Sequence, residues 1–196
     1  MKIEKIILEG EYVRLEPLEI GHHKQLCDVG LDESLWQLIP TNIKTSADMT
    51  KYIETALDEC QRGVSLPFVT IEEASNKVVG STRFGNIDAK NRRCEIGWTW
   101  INPRWQRTFI NTEAKLLMLT HAFETWKCIR VELKTDVLNE KSQNAILRIG
   151  AQREGVFRQH IITDTGRFRD SVYFSIIDSE WRTVKADLKE KLRSFE

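Results

Sequence analysis

The sequence lacks an excess of charge of either sign, because 29 lysines and arginines are balanced by 29 aspartates and glutamates over 196 residues. Proteins that act mainly on nucleic acid neutralise many phosphates and need a basic surplus. The chain also lacks an uninterrupted apolar run of the roughly 20 residues that span a bilayer, and charges interrupt its first residues, MKIEKIILEGEY. We therefore expect a cytoplasmic protein with neither a nucleic-acid partner nor a membrane segment.

Cysteine, proline and histidine are scarce, with four residues of each. The cysteines contain no CxxC pair and are expected to be ordinary buried thiols in a reducing compartment; they are Cys27, Cys60, Cys94 and Cys128. His121 and Glu124 are one helical turn apart, but one such pair does not make a metal site, and we expect no metal. Neither a glycine-rich nucleotide fingerprint nor a serine elbow is present.

What the sequence does contain is a regular alternation of strand and helix patterns without a linker. The predicted order is strand (12–18), helix (19–30), helix (from Thr45 to Gly63), three strands up to residue 101, helix, strand (130–137), helix (139–150), two strands around residues 163–167, and a terminal helix. Thr45 and Asp48 form a possible capping box. The length suits one domain, so we predict a single mixed α/β domain over residues 1–196.

A strongly apolar helix is predicted to begin near Thr112, with a narrow polar stripe made of Glu113, Thr120, Glu124 and Lys127. The first N–H groups of a buried helix need partners, and a bound anion would supply them. Arg104 and Arg107 precede the helix, and Lys115 lies on its apolar side. One interpretation is a phosphate or pyrophosphate cradle. The other is a solvent-capped helix with Asn111 or Thr112 as its cap and exposed arginines.

In the strand CEIGWTWI, the alternation of side chains between the two faces places one carboxylate, Glu95, among small residues. Regular alternation places one set of side chains on one face, namely Cys94, Ile96, Trp98 and Trp100, and the other set on the opposite face, namely Glu95, Gly97, Thr99 and Ile101. Glu95 then shares its face with small residues that leave room for a ligand or water. An exposed glutamate, or one paired with Arg92 or Arg93, is the competing interpretation. Trp98 and Trp100 are predicted to be core residues rather than ligand platforms.

The helix predicted at 139–150 carries a stripe that is polar at its start and apolar at its end. Asn139, Ser142, Ile146 and Ile149 form this stripe. Asn139 could be a simple N-cap and Ser142 a first-turn hydroxyl, and both could also line a binding site.

Several segments together resemble one known family. EIGWTWINP, WQRTFINTEAK and LLMLTHAFE are similar to the acetyl-CoA-binding core of the GNAT superfamily of N-acetyltransferases, and in particular to the branch of the ribosomal-protein N-terminal acetyltransferases. NEKSQNAILRIGAQREGVFR and RDSVYFSIIDSEW extend the likeness over roughly the whole chain. The resemblance implies an α+β fold with a splayed, mixed, mostly antiparallel sheet and helices on both faces. In that family, the cofactor binds where two neighbouring parallel strands separate.

The family's loop motif is Gln or Arg, two residues, Gly, one residue, then Gly or Ala. Gln106 matches, whereas Phe109 and Asn111 replace the small residues. Either the loop keeps ordinary dihedral angles and still directs N–H groups at phosphate, which we favour, or cofactor binding is weakened. The resemblance places acetyl-CoA contacts on Trp100, Ile101, Gln106, Arg107, Thr108, Phe109, Ile110, Asn111, Thr112, Asn139 and Ser142.

The resemblance also implies catalytic roles. Glu95 would act as a base, commonly through water, and the Ser142 hydroxyl would protonate the departing thiolate. Trp36, Trp98 and Tyr173 are candidates for contacts with the acceptor, and residues 31–44 are expected to select it.

The implied activity is direct transfer of an acetyl group from acetyl-CoA to a primary amine, either a protein N-terminus or a small molecule, by a monomer or homodimer. The alternative is a non-catalytic sensor or partner module that binds CoA or another small ligand.

Overall fold

The computed structural model describes residues 1–195, which contain eight strands and five α-helices. The strands are β1 (Leu8–Glu9), β2 (Val13–Pro17), β3 (Leu66–Glu72), β4 (Lys77–Asp88), β5 (Arg93–Ile101), β6 (Arg130–Asp136), β7 (Gln152–Ile162) and β8 (Phe168–Ile177). The helices are α1 (His23–Gly30), α2 (Ser46–Gln61), α3 (Phe109–Thr120), α4 (Glu140–Arg148) and α5 (Asp178–Arg193). The predicted order of elements is confirmed, and the short strand β1 is added to it.

All eight strands belong to one sheet, in the order β1-β2-β3-β4-β5-β6-β8-β7. Neighbouring strands are antiparallel except β5 and β6, which run parallel. The predicted fold class, a mixed and mostly antiparallel sheet with helices, is therefore confirmed.

The two faces of the sheet carry separate hydrophobic clusters. One cluster joins α1 and α2 to the sheet and contains Leu26, Ile53 and Trp100, while the other joins α3 and α5 and contains Met118 and Leu188. The capping box predicted for α2 is present, because Thr45 Oγ1 accepts from the Asp48 N–H and the Asp48 carboxylate accepts from the Thr45 N–H. Within residues 1–195, no helix is both long and apolar enough to cross a membrane.

The start of α3 differs from the prediction. The helix begins at Phe109, three residues before Thr112, and the cap is Thr108, whose hydroxyl accepts from the Ile110 N–H at 3.3 Å. The predicted caps, Asn111 and Thr112, both lie inside the helix. Thr108 has extended backbone dihedral angles that suit an N-cap. The ring centroids of Phe109 and Tyr12 are 4.5 Å apart, and this contact packs the extra turn against the core.

The polar stripe predicted for α3 begins with a buried residue, Glu113. Glu113 is buried, and its carboxylate accepts from the backbone N–H groups of Glu11, Tyr12 and Val13 at 2.9, 2.7 and 2.6 Å. A helical wheel cannot show this contact, because the turn that donates the hydrogen bonds lies about 100 residues away in sequence. Glycine is required at position 10, since a Cβ there would lie 2.5 Å from the Glu113 carboxylate carbon.

A β-bulge at Trp98 breaks the regular alternation predicted for β5. Ser81 pairs with Trp100 and Arg83 with Gly97, so Trp98 and Thr99 together oppose a single residue of β4. Trp98 adopts a positive φ of 48°. Beyond the bulge the faces exchange: Trp98 and Trp100 lie on the α1–α2 face with Glu95, while Thr99 and Ile101 lie on the α3 face with Ile96.

Candidate active site

The two parallel strands separate soon after they begin to pair. β5 and β6 are paired only at Arg93–Arg130, Cys94–Val131 and Glu95–Glu132. Residues 96–101 of β5 and 133–136 of β6 continue without pairing to each other, and we call the gap between them the splay. α3 follows the end of β5 and α4 follows the end of β6, so two helix N-termini come after the open end of the splay.

Glu95 lies at the closed end of the splay and is only 3% exposed. Asn86 Nδ2 donates to Glu95 Oε2 at 2.7 Å, and Lys134 Nζ lies 2.8 Å from the same oxygen. No side chain of residues 1–195 hydrogen-bonds the other oxygen, Oε1, which lies beside Gly97; a Cβ at position 97 would be 2.9 Å from it. The carboxylate is thus held through one oxygen, and the other faces a position without a side chain.

The alternative pairing of Glu95 with Arg92 or Arg93 is wrong, because Arg93 binds Asp88 and Glu132 instead. Glu95 pairs with Glu132 of β6, so it lies on the face of the sheet that also carries Lys134, two residues further along that strand. A buried carboxylate needs a compensating charge, and Lys134 supplies it.

Aromatic side chains surround the ion pair of Glu95 and Lys134. Lys134 Nζ lies 5.9 Å from the centroid of the Trp98 ring and 5.8 Å from that of Tyr173. The Tyr173 hydroxyl is 3.4 Å from His160 Nε2, and burial raises the pKa of Tyr173. Burial, with Lys134 and Arg169 nearby, lowers the pKa of His160. Trp98 and Tyr173, both predicted to contact the acceptor, therefore lie in one cluster with Glu95.

The loop before α3 turns without glycine. Arg107 adopts a φ of 62°, in the left-handed region that glycine favours, whereas Phe109 and Asn111 lie within the helix. Gln106 Nε2 donates to the Ile101 carbonyl at 2.8 Å and ties the loop to the end of β5. The two residues that replace the family's small residues therefore need no glycine-like backbone. The expectation that the loop keeps ordinary dihedral angles is nevertheless wrong at Arg107, whose φ is positive.

The N-terminus of α3 retains donors for an anion. Thr108 caps Ile110, but no side chain of residues 1–195 caps the N–H groups of Phe109 and Asn111. Arg104 and Arg107 are exposed and form no ion pair within the described part of the chain. The side chains of Ile110 and Thr112 are buried, so any ligand contact from these two residues would come from the backbone.

On α4, Asn139 is the N-cap that the sequence predicted, since its Oδ1 accepts from the Ser142 N–H at 3.0 Å. Ser142 is half-buried in the first turn, and Ile146 and Ile149 are buried at the far end. α4 ends at Arg148, and Gly150 follows with a φ of 92°. The cap uses the Asn139 side-chain oxygen and leaves its Nδ2 group and the Ser142 hydroxyl for other contacts.

Two predicted site tryptophans lie in the core. Trp36 is 4% and Trp100 is 3% exposed, and their ring centroids are 5.5 Å apart. Trp36 Nε1 donates to the Gly30 carbonyl and Trp100 Nε1 to the Tyr52 hydroxyl. Any contact between Trp100 and a cofactor would therefore come from its backbone. Trp36 also contributes to the wall of a cleft of about 220 Å³ between residues 31–44 and the turn that joins β7 to β8.

Lys115 is a buried cation on the inner face of α3. Its Nζ donates to Thr82 Oγ1 at 3.0 Å and to Thr99 Oγ1 at 2.7 Å, and no carboxylate of residues 1–195 pairs with it. Burial lowers the pKa of Lys115 to about 7. The hydroxyls belong to β4 and to β5 just after its bulge, so Lys115 links the helix to the strand that carries Glu95.

Sequence reasoning missed Lys134 and Asn86. A signal for Lys134 does exist, because every second residue of β6 is charged, and β6 lies inside the sheet between β5 and β8. The charged residues are Arg130, Glu132, Lys134 and Asp136. A charged face in the middle of a sheet indicates a polar cleft or an ion-pair network. Asn86 has no comparable signal, since its contact with Glu95 depends on the irregular pairing of β4 and β5. No cluster of three or more potential metal ligands occurs within residues 1–195.

A protein-family model described as an acetyltransferase (GNAT) domain matches residues 13–152. YdaF of Bacillus subtilis (strain 168), provisionally named a ribosomal N-acetyltransferase, is 36% identical over 106 residues, which are 54% of this chain and 57% of YdaF. The crystal structure of a GCN5-related N-acetyltransferase from Brucella melitensis is 33% identical with a TM-score of 0.88, covering 96% of this chain and 86% of that one. Mycobacterium smegmatis RimJ, solved with CoA-disulfide, shares the fold at 20% identity and a TM-score of 0.78, covering 95% and 92% of the two chains.

Proposed function

Because this chain belongs to the GNAT acetyltransferase family, we propose that it transfers an acetyl group from acetyl-CoA to a primary amine. The observation that carries the proposal is the position of Glu95, a buried carboxylate at the point where β5 and β6 stop pairing. The acceptor is a protein N-terminus or a small-molecule amine. A ribosomal-protein N-terminus is the first acceptor to test, because YdaF is provisionally named a ribosomal N-acetyltransferase.

The residues around the splay fit acetyl-CoA as a ligand. The N–H groups of Phe109 and Asn111 and the side chains of Arg104 and Arg107 would hold its phosphates, since helix N-termini and arginines both favour anions. The unpaired edges of the two strands offer backbone N–H and C=O groups to the amide-containing pantetheine arm. Asn139 and Ser142, at the start of α4, would meet the same arm from the side of β6. Acetyl-CoA supplies the activated thioester.

The chain's own groups account for the proton transfers. Glu95 would take a proton from the acceptor ammonium, directly or through water, using Oε1 beside Gly97. A backbone N–H of β5 at the splay would stabilise the oxyanion, and the Ser142 hydroxyl would protonate the thiolate. Trp98 and Tyr173 present ring faces to the same space, and ring faces attract an ammonium group.

The alternative of a non-catalytic sensor rested on the missing loop glycines. Phe109 and Asn111 occupy ordinary helical positions, so their side chains do not force the loop away from a phosphate. The missing glycines are therefore a weaker argument for a non-catalytic sensor than the sequence alone indicated. A turnover assay with a panel of amines, including an N-terminal peptide, separates an enzyme from a sensor that only binds acetyl-CoA.

Arg107→Glu tests the cofactor loop. Loss of a charge-assisted contact of roughly 1.5–3 kcal/mol should weaken acetyl-CoA binding about tenfold or more in calorimetry. The thermal stability of the protein should change little, because the side chain is exposed and an acid near a helix N-terminus is favourable. Arg182→Glu, on the exposed face of α5, makes the same charge change away from the loop and should bind acetyl-CoA as the unmodified protein does. Equal affinities of the two variants would contradict the assignment of the loop.

A further inference from the structure

Lys134 is held in the way that an amine acceptor would be held. Its Nζ lies 2.8 Å from Glu95 Oε2 and faces the rings of Trp98 and Tyr173 at 5.9 and 5.8 Å. A carboxylate with two aromatic faces is a favourable environment for an ammonium group. The Lys134 side chain is 17% exposed, so it is mostly enclosed but not fully buried.

The position of Lys134 along β6 also places it beside the splay. The last paired residue of β6 is Glu132, and Lys134 is the next residue on the same face of the strand. Its side chain reaches back to Glu95 on β5 and so crosses the closed end of the splay. Among residues 1–195, Lys134 is the one lysine that pairs with Glu95.

We propose that Lys134 is a self-acetylation site, at which the protein transfers an acetyl group from bound acetyl-CoA to its own side chain. This inference rests on the proposed function, because it uses the same cofactor and the same base. It goes beyond that function in naming an internal acceptor, which competes with external amines for the space beside Glu95.

The proposed step balances without an additional reactant. Glu95 accepts a proton from the Lys134 ammonium, and the lone pair of Nζ then attacks the thioester carbonyl carbon. A C–N bond forms, the C–S bond breaks, and the thiolate leaves. Nitrogen loses two protons in all: one ends on the CoA thiol and the other passes through Glu95 to solvent. The products are acetyl-Lys134, CoA and one proton, and no group is oxidised or reduced.

Acetylation would change the site that performs it. An acetylated Lys134 carries no charge, so Glu95 keeps its contact with Asn86 but loses its cationic partner. The added acyl group also occupies space between Glu95 and the two rings. Transfer to external amines should therefore slow as the modification accumulates.

Site-resolved mass spectrometry tests the proposal on the intact protein. The full chain is incubated with acetyl-CoA without an acceptor, and the acetylated fraction of each lysine is followed over time. Lys24, whose side chain is 86% exposed, reports simple chemical acetylation, which favours accessible lysines. We expect Lys134 to be modified faster than Lys24. Glu95→Gln should slow modification at Lys134 by roughly two to four orders of magnitude and leave Lys24 unchanged.

A second readout uses Lys134→Arg, which keeps a cation beside Glu95 but presents no acetylatable amine. Preincubation with acetyl-CoA should progressively lower the transfer rate of the unmodified protein and not that of Lys134→Arg, each measured against its own starting rate. The proposal is overturned if acetyl-CoA binds and external amines are acetylated while Lys134 is modified no faster than Lys24. That result would leave the proposed function standing. Failure of acetyl-CoA to bind at all would instead overturn both.

Discussion

Replacement of Lys115 by methionine should change how stability depends on pH. Lys115 is 4% exposed and donates only to the hydroxyls of Thr82 and Thr99, so its positive charge is buried without a carboxylate within residues 1–195. Methionine has a similar length and no charge. The two threonine hydroxyls lie 2.8 Å apart and can satisfy each other after the substitution.

The sign and size of this pH effect on the free energy of unfolding follow from proton linkage. Burial lowers the pKa of Lys115 from 10.5 to about 7 in the folded chain, whereas the unfolded chain keeps the ordinary value. Between these two pH values the unfolded state binds a proton that the folded state does not, so the free energy of unfolding rises with pH. The stabilisation is complete above the unfolded pKa and is lost as pH falls through the folded pKa. The slope contributed by Lys115 is at most about 1.4 kcal/mol per pH unit.

Urea unfolding followed by tryptophan fluorescence measures this contribution. The free energy of unfolding of Lys115→Met minus that of the unmodified protein should be largest below about pH 7, where it levels off, and should decrease by roughly 1 kcal/mol per pH unit between about pH 7 and pH 9. Other groups titrate in both proteins and cancel in the difference. Lys189→Met, which removes an exposed lysine from α5, should give a difference that hardly varies with pH.

Parallel pH profiles for the unmodified protein and Lys115→Met would refute the reasoning. They would mean that Lys115 keeps its ordinary proton affinity in the folded state. A buried charge would then be compensated by a group other than Thr82 and Thr99, and the contact between α3 and the bulged strand would need a different electrostatic description.

Two further predictions concern the packing of α3. Phe109→Gly should lower the free energy of unfolding by roughly 2–4 kcal/mol, because it removes the contact with the Tyr12 ring and places glycine in a helix. Thermal unfolding measures this loss, and a Phe109→Gly protein as stable as the unmodified one would contradict the packing role. Glu113→Gln keeps the shape of the side chain but weakens three charge-assisted hydrogen bonds from the N–H groups of residues 11–13, or makes them unfavourable. It should lower the free energy of unfolding by roughly 1–3 kcal/mol in denaturant unfolding. An unchanged denaturation midpoint would count against the buried carboxylate.

The fold could be predicted because its signals are local. The Thr45–Asp48 capping box marks the start of α2, Asn139 marks the start of α4, and Gly150 marks its end. Each of these residues satisfies or releases backbone groups within a few positions of itself. Apolar patterning likewise identified the strands from β2 to β8, six of which contain buried residues, whereas β7 contains none.

The candidate site was predicted less completely because it depends on contacts between distant residues. Trp98 adopts a positive φ without a glycine to signal it, and the resulting bulge exchanges the faces of the residues that follow. Glu113 falls in the polar stripe of a helical wheel, which does not reveal that it is a buried acceptor for a distant turn. Lys134 meets Glu95 only because β5 and β6 pair in parallel, which the residues of either strand alone do not reveal.

The central claim is that Glu95 is the base for acetyl transfer, and one comparison tests it most directly. The turnover of Glu95→Gln with acetyl-CoA and a reactive amine is measured beside the dissociation constant for acetyl-CoA. We predict that turnover falls by roughly two to four orders of magnitude while the dissociation constant is unchanged, because the amide keeps the shape of the side chain but cannot accept the proton. Near-normal turnover of Glu95→Gln would contradict the claim and would assign proton removal to water or to another group.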